Sequence, residues 1–436
     1  TVSYRRDGNS RFAPAYKFAN FFTYAASWLV SNEDFIKDID PIHYMKLRAS
    51  YGAIGNSTFP DGSYYPYFPS FTAAGIYNGQ TPYFPEIPGN YDLTWETSNP
   101  LNVGFDIGLL NRVEINLDFY DTRTRDLLFR NPLPSSKGYE FQWANVGEIR
   151  NTGIEFAVNG SLIRTEDLTW NVNFNLASNV NKLQALSDKE SVTEMMISRG
   201  VVSQILVVGG GAFDWYMPKW LGVDPDNGEP LWEDIIYDEN GNEIDRVATS
   251  VYTDAAEDYQ IVGSPFPDFA GGFGTFLKYK GLTMNAAFSY SVGNMIYHAS
   301  RQEYDNDGEN VSVNSQVLMD EWSRWENPGD EATHPEPVYG GNLNSNKYSS
   351  RYLEDGSYLR LRNLTIGYDL PSEMLNRIKI KGMRISLSMD NLFTWTKYSG
   401  PDPDVPLYMG SWTLPGQQSF KYPISKQFLL GVEFSF

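Results

Sequence analysis

The last nine residues run Phe428-Leu-Leu-Gly-Val-Glu-Phe-Ser-Phe436. In an extended segment Phe428, Leu430, Val432, Phe434 and Phe436 share one face, and Leu429, Gly431, Glu433 and Ser435 share the other. Such alternation suits a half-buried sheet in water, or a barrel wall with lipid outside and water within. The closing aromatic favours the wall. Strand ends exposed in soluble domains tend to be blunted or polar. The final strand of an outer-membrane barrel pairs with the first, and its last aromatic sits at the membrane interface.

The rest of the chain fits that reading. No run approaches the roughly 18 apolar residues of a spanning helix, which excludes a helical membrane protein. The 436 residues are 41% hydrophobic with a mean hydropathy of −0.41, values that a barrel shares with soluble proteins because its strands alternate lipid-facing and polar positions. Aromatic residues make up 15%, a content suited to interfacial girdles and to ligand-stacking loops. Cysteine is absent, which excludes disulfides and thiolate metal or redox sites. The net charge of −20 argues against a nucleic-acid partner. Thr1 to Arg6 is neither an initiator nor a signal peptide and reads as the end of a strand, so upstream sequence is expected to be missing.

The clearest alternating runs are Val103 to Leu109, Val113 to Phe119, Ile154 to Val158, Leu168 to Leu176, Leu282 to Tyr290 and Ile385 to Met389. In the cleanest, Leu168, Trp170, Val172, Phe174 and Leu176 alternate with Thr169 and with Asn171, Asn173 and Asn175. A row of asparagines suits a water-filled lumen, so the apolar set is expected to face lipid. Weaker runs are Thr1 to Tyr4, Phe21 to Val30, Met45 to Gly52, Phe273 to Tyr279 and Leu359 to Tyr368, the last with a phase change near Arg362 that predicts a bulge. With the closing strand the count is about twelve. The connections alternate in length. Short ones follow Val30, Leu109, Val158, Tyr279 and Tyr368; long ones are Arg5 to Asn20, Ala53 to Tyr91, Thr122 to Arg150, Asn179 to Phe269, Gly293 to Gly356 and Thr396 to Lys426. An antiparallel transmembrane β-barrel with short periplasmic turns and long extracellular loops has this asymmetry, and a β-sandwich has no reason for it.

Several motifs then carry a family resemblance. Lys46-Leu-Arg-Ala-Ser-Tyr-Gly52, Asn102-Val-Gly-Phe-Asp106, Asn151-Thr-Gly-Ile-Glu155 and Gly263-Ser-Pro-Phe-Pro-Asp268 occur in that order. They are followed by Tyr352-Leu-Glu-Asp-Gly-Ser-Tyr-Leu-Arg-Leu-Arg-Asn-Leu-Thr-Ile-Gly-Tyr368, Asp390-Asn-Leu-Phe-Thr394 and Tyr398-Ser-Gly-Pro-Asp-Pro-Asp404. Together with the closing strand, this series resembles the barrel of SusC/RagA-type TonB-dependent transporters of Bacteroidetes. The resemblance implies that residues 1–436 are the carboxyl-terminal part of a 22-stranded barrel, with the plug domain and first strands outside this chain. It also implies an outer-membrane location in a Gram-negative cell and active import of glycans or peptides. The partners implied are TonB, acting through the missing amino-terminal part, and a SusD-like surface lipoprotein serving as lid.

Other motifs carry little chemistry. Asp224-Pro-Asp-Asn-Gly228 and Asp305-Asn-Asp-Gly308 have calcium-loop spacing but lack the distal glutamate, and read as surface turns with calcium as the weaker alternative. His43, His298 and His334 lack metal-ligand spacing. Acidic pairs such as Glu233 with Asp234 arise freely among 54 acidic residues, so no enzyme and no cofactor is expected. Gly209-Gly-Gly211 lacks the lysine and helix of a phosphate loop. The aromatic clusters Tyr64, Tyr65, Tyr67 and Phe68, then Trp215, Tyr216 and Trp220, then Trp322 and Trp325, are the candidate substrate or lid contacts, with packing within the loops as the alternative. The competing class is a secreted β-sandwich that binds carbohydrate without transporting it.

Overall fold

The computed structural model describes the chain except residues 60, 61, 74, 187–193, 200, 201, 310, 311, 313–317, 376–379, 408, 409, 411, 412 and 436. Phe436, expected in the closing strand, therefore lies outside the described residues. Twelve strands carry the main sheet: β1 (Val2–Gly8), β2 (Phe18–Leu29), β3 (Ile42–Gly52), β4 (Glu96–Leu109), β5 (Val113–Arg125), β6 (Glu148–Arg164), β7 (Leu168–Ala185), β8 (Phe269–Tyr279), β9 (Leu282–Val292), β10 (Tyr358–Asp369), β11 (Gly382–Thr396) and β12 (Gln427–Ser435). A short thirteenth, Ile54–Asn56, pairs with β4. They coincide with the twelve segments marked in the sequence, and most run further. Backbone ladders continue wherever N–H and C=O groups still find partners, whether or not the side chains alternate in polarity.

The chain forms two compact units. In the first, residues 1–160, 177–195 and 207–212, strands β1 to β6 lie side by side in sequence order, each described pair antiparallel. Register sets apolar residues in rows across neighbouring strands, such as Ala26, Ala49, Val103, Phe119, Ile154 and Trp28, Leu47, Phe105, Leu117, Phe156. Paired residues share a face, so the alternate positions form polar rows, including Lys46, Asp106 and Asn116. The second unit, residues 161–176, 196–206 and 213–436, repeats the scheme. Met284, Ile366, Leu387 and Leu430 make an apolar row; Asn285, Thr365 and Ser388 make a polar one. Ala287 pairs with Asn363 and Phe288 with Leu361, leaving Arg362 as the extra residue of the bulge that the phase change predicts.

The packed cores lie in the connections. In the first unit Phe12, Phe59, Leu93, Trp95 and Trp143 are buried together; in the second, Val202, Trp215, Met217, Tyr297, Tyr348, Tyr352 and Leu414. The sheet instead leaves large apolar groups bare: Trp395 is 53% exposed, Phe428 65% and Leu430 70%. A sandwich would bury such a face against a second sheet.

One expectation about the connections is corrected. The first, residues 9–17, is no longer than the connection at 30–41, because β1 and β2 extend toward each other through the ladder from Arg5–Phe21 to Gly8–Phe18. The long connections are themselves structured. They carry small sheets of their own, among them Val202–Val207, Asp214–Met217 and Gln260–Gly263 with Glu194–Arg199, and Trp220–Val223, Pro230–Tyr237 and Glu243–Thr249. Elsewhere the length alternation holds, with tight turns at Leu110–Arg112 and Lys280–Gly281.

Candidate functional site

The polar rows are knit by directed hydrogen bonds. Arg48 on β3 donates from Nε and Nη2 to the Asp106 carboxylate at 2.8 Å each, and from Nη2 to Asp118 at 2.9 Å. Asn116 donates to the same Asp106 at 2.9 Å. The planar guanidinium thus satisfies carboxylates on two successive neighbouring strands, a geometry that lysine would not reproduce. A bidentate Arg150–Asp121 pair follows on β6 and β5, at 2.9 and 2.7 Å. In the second unit Asn363 donates to Ser388 and Asp390, and Arg384 reaches Thr283 and Asp369. On β7, Asn175 accepts from the Gly272 N–H and Asn173 packs beside Gly274, while Phe174 stacks on Tyr290 at 6.2 Å. The strands named here therefore offer hydrogen-bonding groups on one face and rings or aliphatics on the other.

A second cluster lies in the connection after β9. Asp305 is fully buried; its Oδ2 accepts from His334 Nε2 at 2.9 Å and Arg301 Nε at 3.1 Å. Asp307 accepts from Arg324 at 2.9 Å, Arg351 at 2.5 Å and Ser345 at 2.6 Å. Burial alone would raise the Asp305 carboxyl, but the hydrogen bond from His334 and the charges of Arg351 and Arg301 outweigh it and hold the carboxyl at about 2. Glu354 behaves alike: burial is outweighed by the hydrogen bond from His298, the Arg301 charge and the Ser399 donors, and its carboxyl stands at about 2. The surface-turn reading of Asp305-Asn-Asp-Gly308 is thereby corrected. The turn exists, with Gly308 at φ +92°, but its carboxylates point inward because arginines from residues 301, 324 and 351 meet them there. Asp224-Pro-Asp-Asn-Gly228 does form an exposed turn closed by its own Asp224 and Asn227 side chains. Among the described residues no group of three or more histidine or carboxylate side chains is placed to hold a metal.

The aromatic candidates occupy different settings. Tyr64, Tyr65 and Phe68 are exposed in the first unit, near the hairpin of Ser70–Ala73 and Tyr83–Ile87, whose Phe71, Tyr83 and Phe84 are exposed as well. Tyr67 beside them is 9% exposed and joins the buried core. Trp215 is fully buried, donating to the Met295 carbonyl at 3.0 Å, which leaves it no surface to offer a ligand. Tyr216 packs edge-on against Tyr259, and Trp220 against Trp232 with the Arg351 guanidinium over its ring. Trp322 lies over Arg301 and next to His334, and Trp325 caps the Asp224 turn by donating to the Pro225 carbonyl. The arginine–carboxylate clusters escaped the sequence reading. Partners such as Asp307 and Arg351, separated by 44 residues, share no periodicity that would pair them.

Residues 1–392 match the family model described as TonB dependent receptor-like, beta-barrel. TonB-dependent receptor P3 of Formosa agariphila is 33% identical over all of this chain and 44% of its own length. TonB-dependent receptor SusC of Bacteroides thetaiotaomicron is 28% identical over all of this chain and 42% of its own. The solved structure of the RagAB peptide transporter superposes with a TM-score of 0.83 at 28% identity, covering all of this chain and 45% of that one. The chain thus spans less than half the length of the relatives it matches.

Proposed function

Given that this chain belongs to the TonB-dependent receptor-like β-barrel family, we propose that it forms part of the wall and outer loops of an active importer of oligosaccharides or peptides. Barrels of this family lie in the outer membrane and belong to receptors, not enzymes. The secreted-sandwich alternative is overturned by that membership. The observation that carries the transport reading is the pair of unlike faces: apolar rows such as Met284, Ile366, Leu387 and Leu430, half-buried to exposed, back onto rows of hydrogen-bonded polar groups. That is the cross-section of a wall between lipid and a wet lumen. In the longer whole receptor a plug domain would gate the lumen, and TonB would act through it. A SusD-like lipoprotein would close over the long loops, and the exposed Tyr64, Tyr65 and Phe68 support a lid contact because aromatic residues concentrate at such interfaces.

The test is uptake of labelled oligosaccharide and peptide pools by cells carrying the complete receptor, with and without an uncoupler. Uptake that requires an energised inner membrane supports the reading; energy-independent passage equal in both states refutes it. Photo-cross-linkers at Tyr64 and Tyr65 should capture the lid, and those at Leu110–Arg112 and Lys280–Gly281 should not. Capture confined to the short turns would invert the topology.

A further inference from the structure

The outward face of the first unit changes chemistry above its apolar rows. The row after Ala26, Ala49, Val103, Phe119 and Ile154 is Tyr24, Tyr51, Leu101, Asp121 and Thr152, and both tyrosines are exposed. Tyrosines so placed on a barrel wall mark the level where hydrocarbon gives way to head groups. The next two rows, toward the long connection at 126–147, bring Asn99, Arg123 and Arg150 into register, then Thr97, Arg125 and Glu148. Lys182 on β7 shares this face: Asn179 and Asn181 donate to Asn151 on the polar side, so Lys182 alternates to the outward one. Four cations thus meet two carboxylates on a chain whose net charge is −20. Arg150 is spent on Asp121 at 2.7 Å and Arg125 on Glu148 at 3.1 Å. Arg123 and Lys182 are exposed, and their side chains make no hydrogen bond or ion pair among the described residues.

We infer that this patch binds the phosphate of a lipid head group in the leaflet on the long-connection side. Arg123 stands two residues beyond the tyrosine row, about 7 Å along the strand, which sets its guanidinium at head-group depth. The guanidinium fork fits two phosphate oxygens, and Lys182 adds a point charge beside it. A carboxylate of another protein could pair with the same cations, but their place directly above lipid-facing rows puts a head group against them first. Acidic residues elsewhere on the chain do not cancel the attraction, because charges more than a Debye length away are screened. The inference rests on the reading of the apolar rows as lipid-facing and adds a lipid ligand to it.

The test is native mass spectrometry of the complete receptor extracted from vesicles of phosphatidylcholine and phosphatidic acid in equal amounts, with phosphatidic acid as the phosphate-bearing probe. Phosphatidic acid should be retained in preference. Arg123→Gln combined with Lys182→Gln should cut that preference at least about fivefold. Arg123→Lys should keep most of it, and Lys280→Gln, at a short turn, should leave it unchanged. Equal retention of the two lipids, a preference unaltered in the double variant, or an equal loss in Lys280→Gln would each overturn the site. Displacement of phosphatidic acid by inorganic phosphate at the same concentration would also overturn it, since the patch would then be a site for free anions. A label at Phe119 tests the underlying face separately. Quenching there from the lipid phase, without a preference for phosphatidic acid, sinks this site alone, whereas no quenching sinks the wall reading with it.

Discussion

Leu387→Arg, set against Ser388→Arg, separates a lipid-facing wall from a wetted sheet. The two positions are adjacent on β11 and face opposite ways: Leu387 lies between Ile366 and Leu430, Ser388 between Thr365 and Leu429. Leu387 is 38% exposed. Were its face in water, the substitution would forfeit only the buried part of a leucine, about 1 kcal/mol, and the arginine stem would recover some of that. In lipid the guanidinium would stand near mid-membrane, where it costs about 2–4 kcal/mol. Ser388→Arg on the polar side loses hydrogen bonds to Asn363 and Thr365 but keeps its charge in water, and should cost about 1 kcal/mol. Reversible urea unfolding of the complete receptor in lipid vesicles reads both. A cost for Ser388→Arg equal to or above that for Leu387→Arg would refute the face assignment.

On β7, labels at Trp170 and Val172 should be quenched by lipid-phase quenchers more than labels at Asn171 and Asn173; the reverse order would exchange the faces of that strand. Arg351→Ala should destabilise the second unit's connections by about 1–3 kcal/mol, since it removes the Arg351 hydrogen bond from the buried Asp307, which keeps Arg324 and Ser345, and weakens the surroundings of Asp305. Proteolysis in the connection after β9 reports it, and an unchanged cleavage rate would contradict the assignment. Asp305 and Glu354 have folded-state carboxyls depressed to about 2, so their contribution is present above the ordinary carboxylate range and is lost as pH falls from about 4.5 toward 2. Hydrogen exchange in residues 293–309 and 318–357 should therefore rise across that window, and flat protection would oppose it. Trp215→Ala should cost about 3–5 kcal/mol by opening a core cavity while leaving solute affinity unaltered; a loss of affinity without loss of stability would give Trp215 a ligand role.

The wall is legible in the linear chain. Period-two alternation is a local property, and each of β1 to β12 is legible from its own residues, down to the bulge at Arg362, because neighbouring side chains in a strand must point to opposite faces. The pattern of short and long connections followed from the same strands, except at residues 9–17, where ladder pairing outran the apolar pattern. The connections and the polar face depend instead on contacts between distant segments. Trp215 and Tyr64 are both aromatic residues in long connections, yet one is fully buried and the other 74% exposed, since burial depends on which distant segment folds against the ring. Asp305 and Asp307 look like members of a surface turn until Arg301, Arg324, His334 and Arg351 meet them. Arg48 meets Asp106 and Asp118 only through the register of three strands. Alternation needs only the adjacent residue, whereas an ion pair or an aromatic core needs partners brought close by the folded chain, and a linear pattern holds no record of that distance.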